Sequence, residues 1–197
     1  MSVGPHPKPW PLGEQYDKTL LAEGDSRNVD DKYRYWTVEA IKADLDKSRL
    51  DLHVAIENWQ HDFNIGSIVR SANAFNLSAV HIIGRRQWNR RGAMVTDRYM
   101  NLFHHDSVEE FRLAMKADKR AITAVDNQVG SVPLNQIRLP LKAVLVFGGE
   151  GPGLSSDMIE AAETQVAIEQ FGSTRSVNVG VAAGIAMYAW VKQHALD

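Results

Sequence analysis

The chain has 197 residues, 44% hydrophobic and 23% charged, with a formal net charge of −2. That is enough apolar content for one globular domain with a real core, and too little net charge to mark a chain dominated by a polyanionic partner. The absence of cysteine excludes disulfides, thiol nucleophiles and thiolate metal sites.

Residues 1–49 read as an N-terminal extension, polar and Pro-rich at first, partly flexible, with a short helix near its end. Met1 to Pro9 holds no apolar signal core, so a cytoplasmic protein is expected. Tyr33, Arg34, Tyr35 and Trp36 suit either packing of this arm onto the domain or stacking on bases. Thr37–Lys47 is the short helix, with Thr37 as N-cap. The domain then occupies 50–197. His53–Ile56 is a β-branched run that reads as a strand, and Asn64–Asn76 sets Ile65, Ile68, Val69, Ala72 and Phe75 on one helical stripe. Ala79–Ile83, Ala121–Val125, Ala143–Phe147 and Val166–Ile168 read as strands. Val108–Lys116, Ser155–Glu163 and Asn178–Lys192 read as helices. The most apolar stretch, Val179 to Trp190, is too short to span a bilayer, and no membrane partner is expected. Alternation of this kind predicts an α/β fold with a mainly parallel sheet flanked by helices. Ligands in such sheets sit beyond the carboxyl ends of the strands, so the loops after Ile56, Phe147 and Ile168 are where chemistry is sought.

Three constellations fall there. In Asn64-Ile65-Gly66-Ser67-Ile68-Val69-Arg70, Arg70 lies opposite the apolar stripe, facing either a ligand or solvent, and Asn64 also suits a helix cap. Phe147-Gly148-Gly149-Glu150-Gly151-Pro152-Gly153-Leu154 follows an apolar strand, and its glycines let backbone pass close to a ligand. It lacks the spacing of a phosphate cradle, so a nucleoside without phosphates fits it better. In the third, Ile168 to Asn178 leads into a helix rich in Gly and Ala, with Ser176 and Asn178 as further caps or site residues. His104-His105 lacks partners at metal-binding spacing, and no metal is expected. Basic residues outnumber acidic ones, 11 to 8, only in residues 52–140, where Arg85, Arg86, Arg90 and Arg91 surround Trp88. That cluster is either a phosphate-binding patch or a solvated loop.

In this order the three constellations resemble motifs 1, 2 and 3 of the SpoU/TrmH family of SPOUT RNA 2′-O-ribose methyltransferases, over about Leu52 to the C-terminus. The resemblance rests on Asn64 with Arg70, on Phe147-Gly148-x-Glu150-x-x-Gly153-Leu154, and on Gly172-x-x-x-Ser176-x-Asn178. It implies a deep trefoil knot near 143–192 that binds S-adenosyl-L-methionine. Gly148, Ile168 and Val177 then correspond to cofactor contacts, with Gln170 and Ala124 nearby. It also implies a homodimer, an RNA substrate with tRNA favoured over rRNA, and catalytic roles for Arg70, Asn64, Glu150, Ser176 and Asn178. Arg85, Arg86, Arg90 and Arg91 are assigned to RNA phosphates. Glu169-Gln170 stands where the family commonly has Pro-Met, and Gly149 where it often has Asn. Relative to tRNA methylases of the family, the chain is expected to lack a C-terminal extension and to carry its extra residues at the N-terminus. The rival expectations are a non-catalytic RNA-binding protein on the same scaffold and a base methyltransferase.

Overall fold

The computed structural model describes residues 2–60, 64–149, 151 and 153–196. Its seven strands are β1 (Leu50–Asn58), β2 (Leu77–Gly84), β3 (Leu102–His105), β4 (Ala121–Val125), β5 (Val132–Pro133), β6 (Ala143–Phe147) and β7 (Thr164–Ala167). They form one sheet in the order β3-β2-β1-β6-β4-β7-β5, and every pairing is parallel. The helices are α1 (Lys18–Glu23), α2 (Val38–Leu45), α3 (Ile65–Ala74), α4 (Val108–Ala117), α5 (Ser156–Ala161) and α6 (Val179–Ala195).

Strands covered on both faces must be apolar on both faces, which is why the central ones read as unbroken runs rather than alternations. All of β6 is buried. Its alternate side chains nevertheless serve different layers. Leu145 and Phe147 join Val54 and Ile56 under α3 and α6, packed by Ile65, Ile68, Ala183, Met187 and Trp190. Val144 and Val146 join Ala55 and Ala124 under α4 and α5, packed by Phe111, Met115 and Met158.

Register decides where the strand-end loops meet. Ile56 pairs with Phe147, Val146 with Ala124, and Val125 with Val166. The carboxyl ends of β1, β6, β4 and β7 therefore finish side by side, and four loops from distant parts of the chain converge on one edge. After β7 the chain returns as α6 to the side of the sheet that carries α3.

The anticipated strands and helices are present, β4 and β6 with the expected limits and the others with shifted ends, and β3, β5 and α1 are additions. β3 is a short edge strand with Phe103 half exposed, so neither burial nor β-branched composition announces it; pairing with β2 makes it. α1 is a single short helix capped by the Asp17 carboxylate, below the length at which apolar spacing is informative. Thr37 does cap α2, accepting the Ala40 N–H at 3.1 Å. Tyr33 and Ile41 from the N-terminal segment pack with Tyr99, and the Arg49 guanidinium donates to the carbonyls of Tyr99 (2.7 Å) and Leu77 (3.1 Å).

The α4 side of the sheet also carries a row of imidazoles. His53 Nδ1 lies 3.0 Å from His81 Nε2, and His81 Nδ1 lies 2.9 Å from His105 Nε2. His81 is 3% exposed and stacks on Phe103. Burial pushes His53 down to about 4 and His81 to about 3, and lowers His105 as well, so the row is neutral at ordinary pH.

Candidate active site

A cavity of about 430 Å³ opens beyond the ends of β4, β6 and β7. Its apolar walls are Val125, Phe147, Ile168, Val177 and Val179, and backbone of the glycine loop closes one side. The volume falls in the range of about 300–1,000 Å³ usual for small-molecule sites. Asp126 is the only described lining residue with a formal charge. A nucleotide's phosphates would therefore find no countercharge among the described lining residues.

The glycine loop is folded tightly on itself. Gly149 and Gly153 form an antiparallel bridge, and a Cβ on Gly148 would lie 2.1 Å from the Gly153 carbonyl carbon. Only glycine fits at 148, because its neighbour there is backbone that has no rotamer to yield. Two carboxylates hold the loop from outside. Glu57, fully buried at the end of β1, accepts the Ser155 N–H at 2.7 Å and the Ser155 hydroxyl at 2.6 Å. Asp126, just past β4, accepts the Leu154 N–H at 3.2 Å. Charge-assisted bonds of this kind are stronger than neutral ones and fix the loop's entry into α5.

The starts of α3 and α6 meet at the cavity's other side. Asn178 caps α6 through Oδ1, accepting the N–H groups of Gly180 (3.0 Å) and Val181 (3.3 Å). Its amide group donates to Asn64 Oδ1 at 3.0 Å. Asn64 makes no side-chain capping bond to α3, and its bond to Asn178 joins the first and third motifs. Gly180 lies against this junction, where a Cβ would sit 3.2 Å from Asn178 Oδ1 and 3.4 Å from Ser67 Cβ. Arg70 follows on α3, exposed, with no side-chain partner among the described residues.

The arginine segment docks beside them. Buried Asn58 donates to the carbonyls of Arg85 (2.7 Å) and Gln87 (3.0 Å). Gly66 admits the turn Arg90–Ala93 against α3, where a Cβ would meet the Ala93 nitrogen at 2.7 Å. Arg85, Arg86, Arg90 and Arg91 are all exposed; Arg90 also lies over the Trp88 ring and pairs with Asp97 at 3.4 Å.

Of the residues singled out from sequence, Gly148, Ile168, Gln170, Ser176, Val177 and Asn178 line the cavity. Ala124 does not; it is buried under α4 and α5, and the next two residues, Val125 and Asp126, are the ones that reach the wall. Strand alternation is the reason, since neighbouring residues face opposite layers. Glu150 lies outside the described residues. Sequence reasoning passed over Glu57, Asn58 and Asp126. The signal available was a polar residue closing an apolar strand, at Ile56-Glu57-Asn58 and Val125-Asp126.

These residues suit S-adenosylmethionine. The Oε1 atom of Gln170 is buried without a partner among the described residues, an acceptor left for a donor such as an adenine amino group. Gln170 is one of the two residues replacing the usual Pro-Met; the other, Glu169, accepts the Asn135 N–H at 3.2 Å. Among the described residues no group of His, Asp and Glu is placed to hold a metal ion, and no helix is long and apolar enough to cross a membrane.

The order of the motifs implied an α/β methyltransferase domain, and the cavity with its Asn64–Asn178 junction gathers those motifs in one place. Comparison with known proteins makes the class specific. The model of the SpoU rRNA Methylase family matches residues 51–188, and the chain belongs to that family. It is 29% identical over 141 residues to a tRNA (guanosine(18)-2′-O)-methyltransferase of Borreliella burgdorferi, a stretch covering 70% of this chain and 65% of that protein, just under two thirds of it. The crystal structure of the A. aeolicus TrmH/SpoU tRNA modifying enzyme is similar with a TM-score of 0.69 at 25% identity, over 79% of this chain and 81% of that one. The SpoU methyltransferase AviRb from Streptomyces viridochromogenes, solved in complex with AdoMet, shares the fold with a TM-score of 0.67 at 23% identity, over 76% of this chain and 64% of that one.

Proposed function

We propose that this chain transfers a methyl group from S-adenosylmethionine to a ribose 2′-hydroxyl of tRNA, acting as a homodimer in the cytoplasm. The observation that carries the reading is that the second and third motif segments line one cavity without a cationic side chain among its described lining residues, and that the first is joined to it through the Asn64–Asn178 hydrogen bond. The relatives named for tRNA ribose methylation supply the substrate class.

The cofactor supplies a methyl group already activated by a positively charged sulfur. What remains for the protein is to hold that ligand, bring a 2′-oxygen in line with it and ease the loss of the hydroxyl proton. Gly148, Ile168, Gln170 and Val177 are assigned to holding the cofactor. Arg70 is assigned to the substrate side. A guanidinium is too basic to serve readily as a base, so its role here is to anchor a phosphate and stabilise charge developing on the 2′-oxygen. Asn64, Glu150, Ser176 and Asn178 position Arg70 and the ribose. Arg85, Arg86, Arg90 and Arg91, docked against the start of α3, take RNA phosphates, and binding weakens as salt rises.

Val181, Ile185 and Tyr188 form an exposed stripe one helical face wide on α6, which a second copy of the chain would cover. The reading also includes the knot: α6 returns from β7 to α3 and β6, the out-and-back course that threading needs.

The test is methyl transfer from labelled S-adenosylmethionine to unmodified total tRNA, followed by mapping of the labelled nucleotide, with Arg70→Ala alongside. Label in a ribose, lost in Arg70→Ala while cofactor binding persists, is expected. Label in a base, or none with any RNA, overturns the reading.

A further inference from the structure

The cavity holds a charge that none of the three motifs includes. Asp126 stands at the carboxyl end of β4, among otherwise uncharged described lining residues. We propose that its carboxylate is the group by which the site prefers the methylated, positively charged cofactor to the neutral thioether left after transfer. The inference rests on the methyltransferase reading above.

The geometry leaves the carboxylate both fixed and available. Oδ1 accepts the N–H of Asn127 at 2.7 Å, and Oδ2 accepts the Leu154 N–H and the Gln128 amide, each at 3.2 Å. Those three donors set its direction but are neutral, and no ion pair meets the carboxylate among the described residues. Gly153 is shaped to it, since a Cβ there would lie 3.0 Å from Oδ2. The Asn127 side chain in turn donates to the Arg175 carbonyl at 3.2 Å, tying the third motif segment to the same strand end.

A fixed anion lowers the free energy of a cationic ligand and leaves a neutral one of the same shape nearly untouched. S-adenosylmethionine and S-adenosylhomocysteine differ by one methyl group and one positive charge, so shape alone separates them poorly. At the effective dielectric of a partly open site, a charge pair several ångströms apart is worth about tenfold or more in affinity. The consequence for turnover is direct. Once the methyl group has left, the attraction that Asp126 exerted on the ligand is gone, and the product is released rather than retained.

The discriminating variant is Asp126→Asn, which keeps an oxygen for the Leu154 N–H and removes the charge, together with the acceptor for the Asn127 N–H. Calorimetric titration of wild type and variant with S-adenosylmethionine, S-adenosylhomocysteine and sinefungin, which carries an ammonium where the methyl sulfonium stands, reads the effect without any turnover. Affinity for the two cations is expected to fall about tenfold, with affinity for the thioether changed by less than about twofold. A role confined to holding the glycine loop would weaken all three ligands alike, and that result overturns the proposal. So does an unchanged preference in a variant that melts like wild type. Should Asp126→Asn fail to fold, Asp126→Ser is titrated in its place, and either of the same two results overturns the proposal. If wild type binds none of the three, the methyltransferase reading itself has failed, which is distinguishable from a normal wild type with an unaltered variant.

Discussion

Mild acid should destabilise this fold through the row of imidazoles on β1, β2 and β3. His53 and His81 are held down to about 4 and about 3 by burial, against an ordinary value of 6.5 in the unfolded chain. Below pH 6.5 the unfolded chain takes up protons that the folded chain refuses. The stability these groups permit is therefore fully present above 6.5 and is lost as pH falls towards their folded values. Each imidazole contributes a slope of at most about 1.4 kcal/mol per pH unit. His81 is 3% exposed and contributes nearly all of that; His53, at the open end of the row, contributes less because solvent screens it. Between about pH 6 and pH 5 the expected loss is about 2 kcal/mol, a large share of a stability of about 5–15 kcal/mol. Stopping at about pH 5 keeps most carboxylates, with reference values near 4, out of the measurement. Urea unfolding followed by tryptophan fluorescence, repeated from about pH 7.5 down to about pH 5, gives the slope. In His81→Leu, which removes the middle imidazole and its two hydrogen bonds, the protein is weaker at neutral pH and the slope falls by roughly half. Parallel pH dependences in wild type and variant, or stability that rises on acidification, would refute the reasoning.

Two further outcomes follow from the packing around α3 and α6. Gly66→Ala drives a Cβ into backbone, with the Gly92 Cα only 2.8 Å away, so the Arg90–Ala93 turn must move off α3. Thermal unfolding should show a loss of about 1–3 kcal/mol, and filter binding should show weaker, less salt-sensitive RNA affinity with cofactor affinity retained; intact RNA binding would mean that the turn's seat on α3 does not matter. Ile185→Asp places a charge in the exposed α6 stripe, where the residue is 41% exposed. Sedimentation is expected to show a dimer for wild type and a monomer with unchanged circular dichroism for the variant. A variant that stays dimeric would move the interface elsewhere.

Much of the fold was legible in the chain because its central strands are buried on both faces. Runs such as Ala143–Phe147 then declare themselves by composition alone, and the predicted limits of that strand and of Ala121–Val125 coincide with those observed. The site was legible where backbone demands a residue type, as at Gly148, or where residues next to one another in sequence do the work, as from Ile168 to Asn178. Where long-range pairing creates an element, the chain was silent: β3 exists only because β2 lies beside it, and the histidine row exists only because residues 53, 81 and 105 fall on adjacent strands. Ala124 shows the finest limit, since a one-residue difference along β4 turns a side chain from the cavity side to the α4 layer.

By itself, then, the sequence determined the element types, the three motif segments and the family, because periodicity and residue spacing are local properties that survive without coordinates. Only the tertiary structure decided that Asn64 joins Asn178 rather than capping its own helix, that Glu57 and Asp126 brace the glycine loop, and that Asn58 and Gly66 set the arginine turn against the start of α3. Those are meetings of residues far apart in the chain, and strand order and register, which no local pattern encodes, determine them.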